Sequence, residues 1–339
     1  MTESFLPFLN IAASGRPLTE TEMQNAIQLM LEGKVTDTEA AGFLMALRAR
    51  GETVEEITAA AGVMRDKALP IEAPLGAIDT CGTGGDGADT FNISTAVAIV
   101  AAGCGLPVAK HGNKAASSQS GSSDVLTALG VNIHATPSQI SRCLKEAGVG
   151  FMFAAAHHKA VAHVASVRSA LKVRTLFNIL GPLTNPAGAK RQLLGVYDKE
   201  RTEPLANALL QLGTTDAWVV HGEDGLDEIT TTGKTFVAAI KDGAVRSFTV
   251  TPEDAGLERA ASQDLKGGDA AHNADAIRRL LAGEKGPHRD IVVLNSAAAT
   301  IIGGKAKTLE EGARLAESAI DNGAASKVLN ALVQHSNEK

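Results

Sequence analysis

The chain has 339 residues, 44% of them hydrophobic and 21% charged, a balance that supports packed domains and excludes a disordered polymer. A formal net charge of −6, with one Trp and one Tyr, excludes any general attraction for nucleic acid or anionic membrane and leaves little aromatic surface for stacking bases. A phosphate-rich ligand must therefore be held by local chemistry.

The first elements are helical. Thr19 with Glu22, Thr36 with Glu39 and Thr53 with Glu56 have the spacing of capping boxes, and each opens a segment with helical apolar spacing. Gly33, Gly51 and Pro70 punctuate the ends of these segments. From residue 76 short apolar runs alternate with helical ones. Strands are expected at Ala77–Ile78, Pro107–Ala109, Val131–Ile133, Phe151–Phe153, Leu193–Val196, Trp218–Val220 and Ile291–Leu294, and helices at Ser94–Ala102 and Glu203–Leu212. The stretch Thr230–Thr251 reads as hairpins around Gly233 and Gly243. Arg174–Gly188 reads as a loop-rich connection passing back to the helical unit. The fold class is α/β: a small N-terminal all-helical domain plus a larger α/β domain with a central, mostly parallel sheet. The expected division is a helical domain over 1–72, completed by about 165–188, with 73–164 and 189–339 forming the α/β domain.

Cys81, Cys104 and Cys143 are odd in number and far apart, which suits a reduced, cytoplasmic setting better than a disulfide framework. The N-terminal residues have no basic stretch leading into an apolar run, so no signal peptide is expected. The uncharged stretch Phe91–Ala109 is broken by Asn92, Ser94, Thr95, glycines and Pro107, so it reads as a buried helix and strand and not as a membrane span.

Three features carry chemistry. The run from Asp79 to Thr95 ends a strand, turns through glycines at 82, 84, 85 and 87, and starts a helix at Asn92–Thr95. Glycines let backbone N–H groups approach a diphosphate, and the helix N-terminus favours its charge. Gly82, Gly84 and Gly87 also match a dinucleotide fingerprint, but the next strand ends in Lys110-His111 where an acidic residue is wanted, and Gly87 lies too far before the helix. The second feature, Lys110 to Asp124, supplies two lysines, an asparagine and a row of serines able to wrap a phosphorylated sugar; its bland alternative is a flexible linker. The third is Asp227-Glu228, adjacent carboxylates suited to Mg²⁺ that bridges pyrophosphate oxygens, although acidic loops are usually just solvated. Gly233-Lys234-Thr235 is no P-loop, because Glu228 stands where that motif needs glycine. His157, His158 and His163 lack zinc spacing.

Together Gly82–Asp86, Asn92–Thr95, Lys110–Asn113, Arg174–Pro186 and Asp227-Glu228 resemble the anthranilate phosphoribosyltransferase family along almost the whole chain. The resemblance implies phosphoribosyl pyrophosphate (PRPP) as donor, anthranilate as acceptor, two Mg²⁺ ions per subunit, a place in tryptophan biosynthesis, and a homodimer formed through the helical part. By position it implies PRPP contacts from Gly82, Gly85, Asp86, Thr90, Asn92, Ile93, Ser94, Thr95, Lys110, His111, Gly112, Asn113, Lys114, Ala115, Ala116, Ser117, Ser118 and Ser122. It implies anthranilate contacts from Gly82, Asn113, Arg168, His111, His158 and Pro182, and metal ligation by Ser94, Asp227 and Glu228. No covalent nucleophile is expected: Lys110 contributes charge at the leaving pyrophosphate and Arg168 grips the anthranilate carboxylate. The chain departs from the family's usual pattern at Lys159–Val161, Ala162 and Lys172, the last in place of a usual glycine. A related pyrimidine nucleoside phosphorylase would carry an extra C-terminal domain and a different glycine loop; a non-catalytic nucleic-acid binder would lack the Asp-Glu pair and be basic.

Overall fold

The computed structural model describes residues 4–114 and 119–338. Four helices come first: α1 (Leu6–Ala13), α2 (Glu20–Leu31), α3 (Asp37–Arg50) and α4 (Val54–Asp66). The predicted capping boxes open α2, α3 and α4, with both reciprocal hydrogen bonds formed in each. Glu56 does more than cap. Fully buried, it accepts the N–H of Thr53 and of Leu18, and both its oxygens accept from Arg50 Nη2, so one carboxylate ties α3, α4 and the start of α2.

The chain then alternates through β1 (Ile78–Gly82), α5 (Ile93–Gly103), β2 (Val108–Gly112), α6 (Ser122–Ala128), α7 (Pro137–Glu146) and β3 (Val149–Phe153). Next come α8 (Ala154–His157), α9 (Ala165–Leu171), α10 (Leu176–Leu180), β4 (Arg191–Gly195) and α11 (Thr202–Gln211). The last third holds β5 (Asp216–Gly222), β6 (Thr235–Lys241), β7 (Ala244–Val250), α12 (Ala270–Leu281), α13 (Pro287–Ile302), α14 (Leu309–Asp321) and α15 (Ala324–Asn337).

One seven-stranded sheet runs in the order β3-β2-β1-β4-β5-β6-β7. Its first five strands are parallel, and β6 and β7 add antiparallel to β5. After β3 the chain returns to the other side of β1, so the strand order reverses between β1 and β4. A crevice at the carboxyl ends of such a pair is where open α/β sheets bind ligands. Period-two alternation feeds two cores: Leu193 and Val220 face α5 and α12–α15, while Leu194 and Val219 face α1–α4 and α11. The helical unit is thus packed onto one face, where Arg65 of α4 donates to the carbonyls of Leu183 and Leu212.

Two expected strands are not strands. Ile291–Leu294 lies inside α13, whose burial on nearly every side erases the helical periodicity that would distinguish it from a buried strand. Val131–Ile133 follows α6 as a turn, and Asn132 spends its backbone N–H and amide on Ser336 instead of on a neighbouring strand. A tight hairpin does join β6 and β7 through Asp242 and Gly243, both at positive φ, whereas Gly233 belongs to the long connection between β5 and β6. Arg174–Gly188 contains the short helix α10 and a single turn of 3-10 helix, and its Leu176, Phe177, Ile179, Leu180 and Leu183 join the core of the helical unit. The stretch considered for membrane insertion divides into α5 and β2, and no helix among the described residues is long and apolar enough to cross a bilayer.

Candidate active site

Two glycines at adjacent strand ends make the site possible. Gly82 closes β1 and Gly195 closes β4, paired in register. A Cβ on Gly82 would lie 2.3 Å from Asp227 Oδ2, and one on Gly195 would lie 1.5 Å from the Asp227 carbonyl oxygen. Asp227 therefore sits over the switch point only because both strands end without side chains. The glycine turn closes on it: Gly84 N–H donates to Asp227 Oδ2 at 2.6 Å, and Gly84, Gly85 and Gly87 all have positive φ. Glu228 turns to the start of α5, where Ser94 N–H donates to its Oε1 at 3.1 Å, using one of the free donors of that helix end.

Lys110, the middle residue of β2, is 2% exposed, and its ammonium donates to Thr80 O and, at 3.2 Å, to Ser94 Oγ. Burial pushes Asp227 up to about 8, the nearby Asp86 carboxylate pushes the same way, and the Gly84 N–H opposes. Glu228 is raised well above the carboxylate range by burial and by Asp227, with Lys110 opposing. Burial in turn lowers Lys110, against Asp79, Glu228 and Asp227. The cluster is therefore short of positive charge. The adjacent carboxylates Asp227 and Glu228, with Ser94 beside them, offer the hard oxygens that a divalent cation of the Mg²⁺ kind prefers. Among the described residues no group of three or more His, Cys, Asp or Glu side chains is gathered to hold an ion.

Behind Lys110 lies buried Asp79, which accepts from His111 N–H at 3.1 Å and from the Asn185 amide at 2.7 Å; burial raises it to about 6. Asn185 also donates to Ala109 O, so the segment after α10 is tied directly to β1 and β2. The acceptor side is less polar. His111 and His158 are buried with ring centroids 5.1 Å apart, and each leaves Nε2 without a partner. Burial, reinforced by neighbouring imidazoles, lowers them to about 3 and about 4. Both stay neutral at pH 7. The backbone of Gly181 opposes this shift at His111 and that of Thr184 at His158, so the turn that carries Pro182 lies beside both rings. Arg168 of α9 is half-buried with its guanidinium 5.9 Å above the Phe177 ring, and burial lowers its pKa.

The structure thus joins Gly82, Ser94, Lys110, Asp227 and Glu228 into one cluster with Asp86, and His111, His158 and Pro182 into another beside it. Ile93 and Thr95 are buried in α5, and their N–H groups donate to the carbonyls of Phe91 and Asn92. Asn92 is committed to a brace: its amide donates to Ser120 O and accepts from Asn273. Thr90 pairs with Lys266 in an isolated bridge. Gly112 lies so close to Phe151 that a Cβ would meet its ring at 2.9 Å. Asn113 and Lys114 are exposed, Asn113 O accepts from Ser123 N–H, and Ser122 opens α6. Ala115, Ala116, Ser117 and Ser118 lie outside the described residues.

The sequence reading places Asp79, Asn185 and Arg174 inside its motif runs without giving them a role, and gives Gly195 none. Arg174 stacks 3.9 Å over Tyr197 and donates to Gly85 O, pinning the glycine turn from the segment that returns to the helical unit. Its signal was only its place in the Arg174–Pro186 run; that of Gly195 was only its place in an apolar strand.

Residues 75–326 match the model described as glycosyl transferase family, a/b domain, and residues 6–68 match the glycosyl transferase family, helical bundle domain. An anthranilate phosphoribosyltransferase of Methylocella silvestris is 56% identical over 99% of this chain and 96% of its own length. That of Parvibaculum lavamentivorans is 58% identical, covering 96% of each. Among solved structures, the anthranilate phosphoribosyltransferase of Thermus thermophilus superposes with a TM-score of 0.93 at 44% identity, covering 98% of this chain and 99% of that one. The Saccharomyces cerevisiae enzyme in complex with PRPP and Mg gives 0.90 at 29% identity, covering 98% and 97%. With the switch-point crevice, its carboxylates and this full-length likeness in hand, the chain belongs to the anthranilate phosphoribosyltransferase family.

Proposed function

We propose that the crevice between β1 and β4 binds the diphosphate of PRPP with Mg²⁺, and that the chain transfers the 5-phosphoribosyl group to the amine of anthranilate. The products are N-(5-phosphoribosyl)anthranilate and pyrophosphate, a step of tryptophan biosynthesis. The observation that carries this reading is Asp227 seated over Gly82 and Gly195 with Glu228 on the first turn of α5. Relatives named for this activity support it, as do yeast structures described with PRPP and Mg and with 4-fluoroanthranilate.

Asp227, Glu228 and Ser94 would hold the cation side of the diphosphate, with two ions per subunit. When bound, Mg²⁺ neutralises charge growing on the departing pyrophosphate oxygens. Lys110 adds a fixed ammonium held by Thr80 and Ser94, so no reorganisation is needed as that charge develops. Gly85, Asp86, Thr90 and Asn92–Thr95 line the donor from one side and Lys110–Ser118 with Ser122 from the other. Arg168 grips the anthranilate carboxylate while Gly82, Asn113, His111, His158 and Pro182 shape its path, which is catalysis by positioning. The neutral imidazoles suit an uncharged arylamine, whose lone pair attacks C1 as the C1–oxygen bond breaks; its proton passes to solvent after attack.

We further infer a functional division into a helical domain, 1–72 completed by 165–188, and an α/β domain from the remainder. The copies pair through the helical part, where Leu6 and Met45 are 52% and 37% exposed. Reduced Cys81, Cys104 and Cys143 suit a cytoplasmic setting. The test is loss of anthranilate fluorescence on mixing with PRPP and Mg²⁺. Asp227→Ala combined with Glu228→Ala is expected to depress turnover sharply at limiting Mg²⁺, and unchanged kinetics there overturn the metal assignment.

A further inference from the structure

The carboxylate pair lies in a long connection, residues 223–234, that forms no strand pairs of its own, so something else must fix where Glu228 points. On its N-terminal side Asp224 does part of this, accepting from Leu226 N–H and from the hydroxyls of Thr230 and Thr232. The C-terminal side is held from behind the site. Asn295, midway along α13 and fully buried, accepts the Ile229 N–H at 2.9 Å and donates to the Ile229 carbonyl at 2.8 Å. Its second amide hydrogen goes to Ile291 O at 2.9 Å within its own helix. One side chain therefore reads both peptide groups of the residue next to Glu228, as a neighbouring strand would.

Asparagine is a poor choice for a helix interior, and an apolar residue would pack there at no cost to α13. An amide is needed because the Ile229 groups are buried and each lacks another partner in the connection. Aspartate offers no donor, glutamine is a methylene too long, and serine cannot reach both groups.

We propose that Asn295 is a positioning residue for the cation site, setting the direction of Glu228 by clamping the Ile229 backbone; the inference rests on the reading of Asp227 and Glu228 as cation ligands. The test uses the full chain freed of metal, with Mn²⁺ titrated in the presence of pyrophosphate and free Mn²⁺ followed by electron paramagnetic resonance. Asn295→Leu is expected to weaken Mn²⁺ binding by about 10–100-fold, the scale for partners that orient metal ligands, while anthranilate affinity holds. Asn295→Ser serves if the leucine variant does not accumulate. Thr300→Val is the control: Thr300 is buried on the same helix and its hydroxyl donates to Ala297 O, away from the connection, so this variant loses stability but keeps wild-type Mn²⁺ affinity. Folded Asn295 variants that bind Mn²⁺ like wild type, while Glu228→Ala does not, overturn the clamp and leave the cation site standing. Equal weakening by Thr300→Val overturns it too, since general loosening of α13 then suffices. If Glu228→Ala itself binds Mn²⁺ normally, the cation-site reading fails and the clamp falls with it.

Discussion

Gly195→Ala puts the central geometry under the most direct strain. A methyl group there lies 1.5 Å from the Asp227 carbonyl oxygen, and ordinary contact begins at 3.4 Å, so the backbone of Asp227 has to retreat by about 1.9 Å. Misplacement of a catalytic constellation by 1 Å can cost about a hundredfold in rate, so this substitution is expected to lower kcat by at least about that factor. Gly82→Ala is milder: its methyl meets a carboxylate oxygen at 2.3 Å, which a side-chain rotation relieves by giving up the Gly84 N–H. The order of damage should therefore be Gly195→Ala, then Gly82→Ala, then Gly181→Ala, where an added Cβ meets nothing. Steady-state rates at saturating PRPP, anthranilate and Mg²⁺ provide the assay, with thermal unfolding to identify variants that fail by not folding. A folded Gly195→Ala enzyme with wild-type kcat refutes the argument that Asp227 occupies the gap between the strand ends.

Two further predictions concern stability. Lys172 ends α9 in the left-handed region, φ 52°, where a side chain costs about 1–2 kcal/mol, while glycine adds about 0.4–1 kcal/mol of unfolded-chain entropy. Lys172→Gly should therefore stabilise by about 0.5–1 kcal/mol and raise the melting temperature by a degree or more; a fall in scanning calorimetry contradicts this strain argument. His158, lowered by burial to about 4, takes up its proton in the unfolded chain near 6.5 but not in the folded one. The unfolded state thus binds more protons between those values, and the imidazole's contribution, complete above about pH 6.5, is lost as pH falls, by up to about 1.4 kcal/mol per unit. Asp79 and Asp227, both raised, act in the opposite direction, so the readout is wild type against His158→Gln. Urea midpoints should converge from pH 7 to pH 5, and parallel curves refute the assignment.

The sequence was most legible where chemistry is local. Thr19, Thr36 and Thr53 announce their helices because a capping box closes within four residues. The glycine turn stands out because few uses explain that density of glycine, whereas Asp227-Glu228 is one of several adjacent carboxylate pairs and gained weight from the family resemblance. Burial erased other signals. Ile291–Leu294 reads as a strand because α13 is covered on nearly all sides, and the same burial hides Asn295, which follows that apolar run. Partnership at long range was also invisible: Asp79 with Asn185, and Arg174 with Gly85 and Tyr197, meet across some hundred residues or less of chain with no pattern linking them. Gly195 acquires meaning only once β1 and β4 are neighbours.

Diffraction from crystals soaked in Mn²⁺ and pyrophosphate, with anomalous differences collected at the manganese edge, tests the cation site itself. A peak bridging pyrophosphate oxygens to the carboxylates of Asp227 and Glu228, beside Ser94, is the predicted result. Manganese and pyrophosphate bound elsewhere, with the ends of β1 and β4 holding neither, contradicts the account.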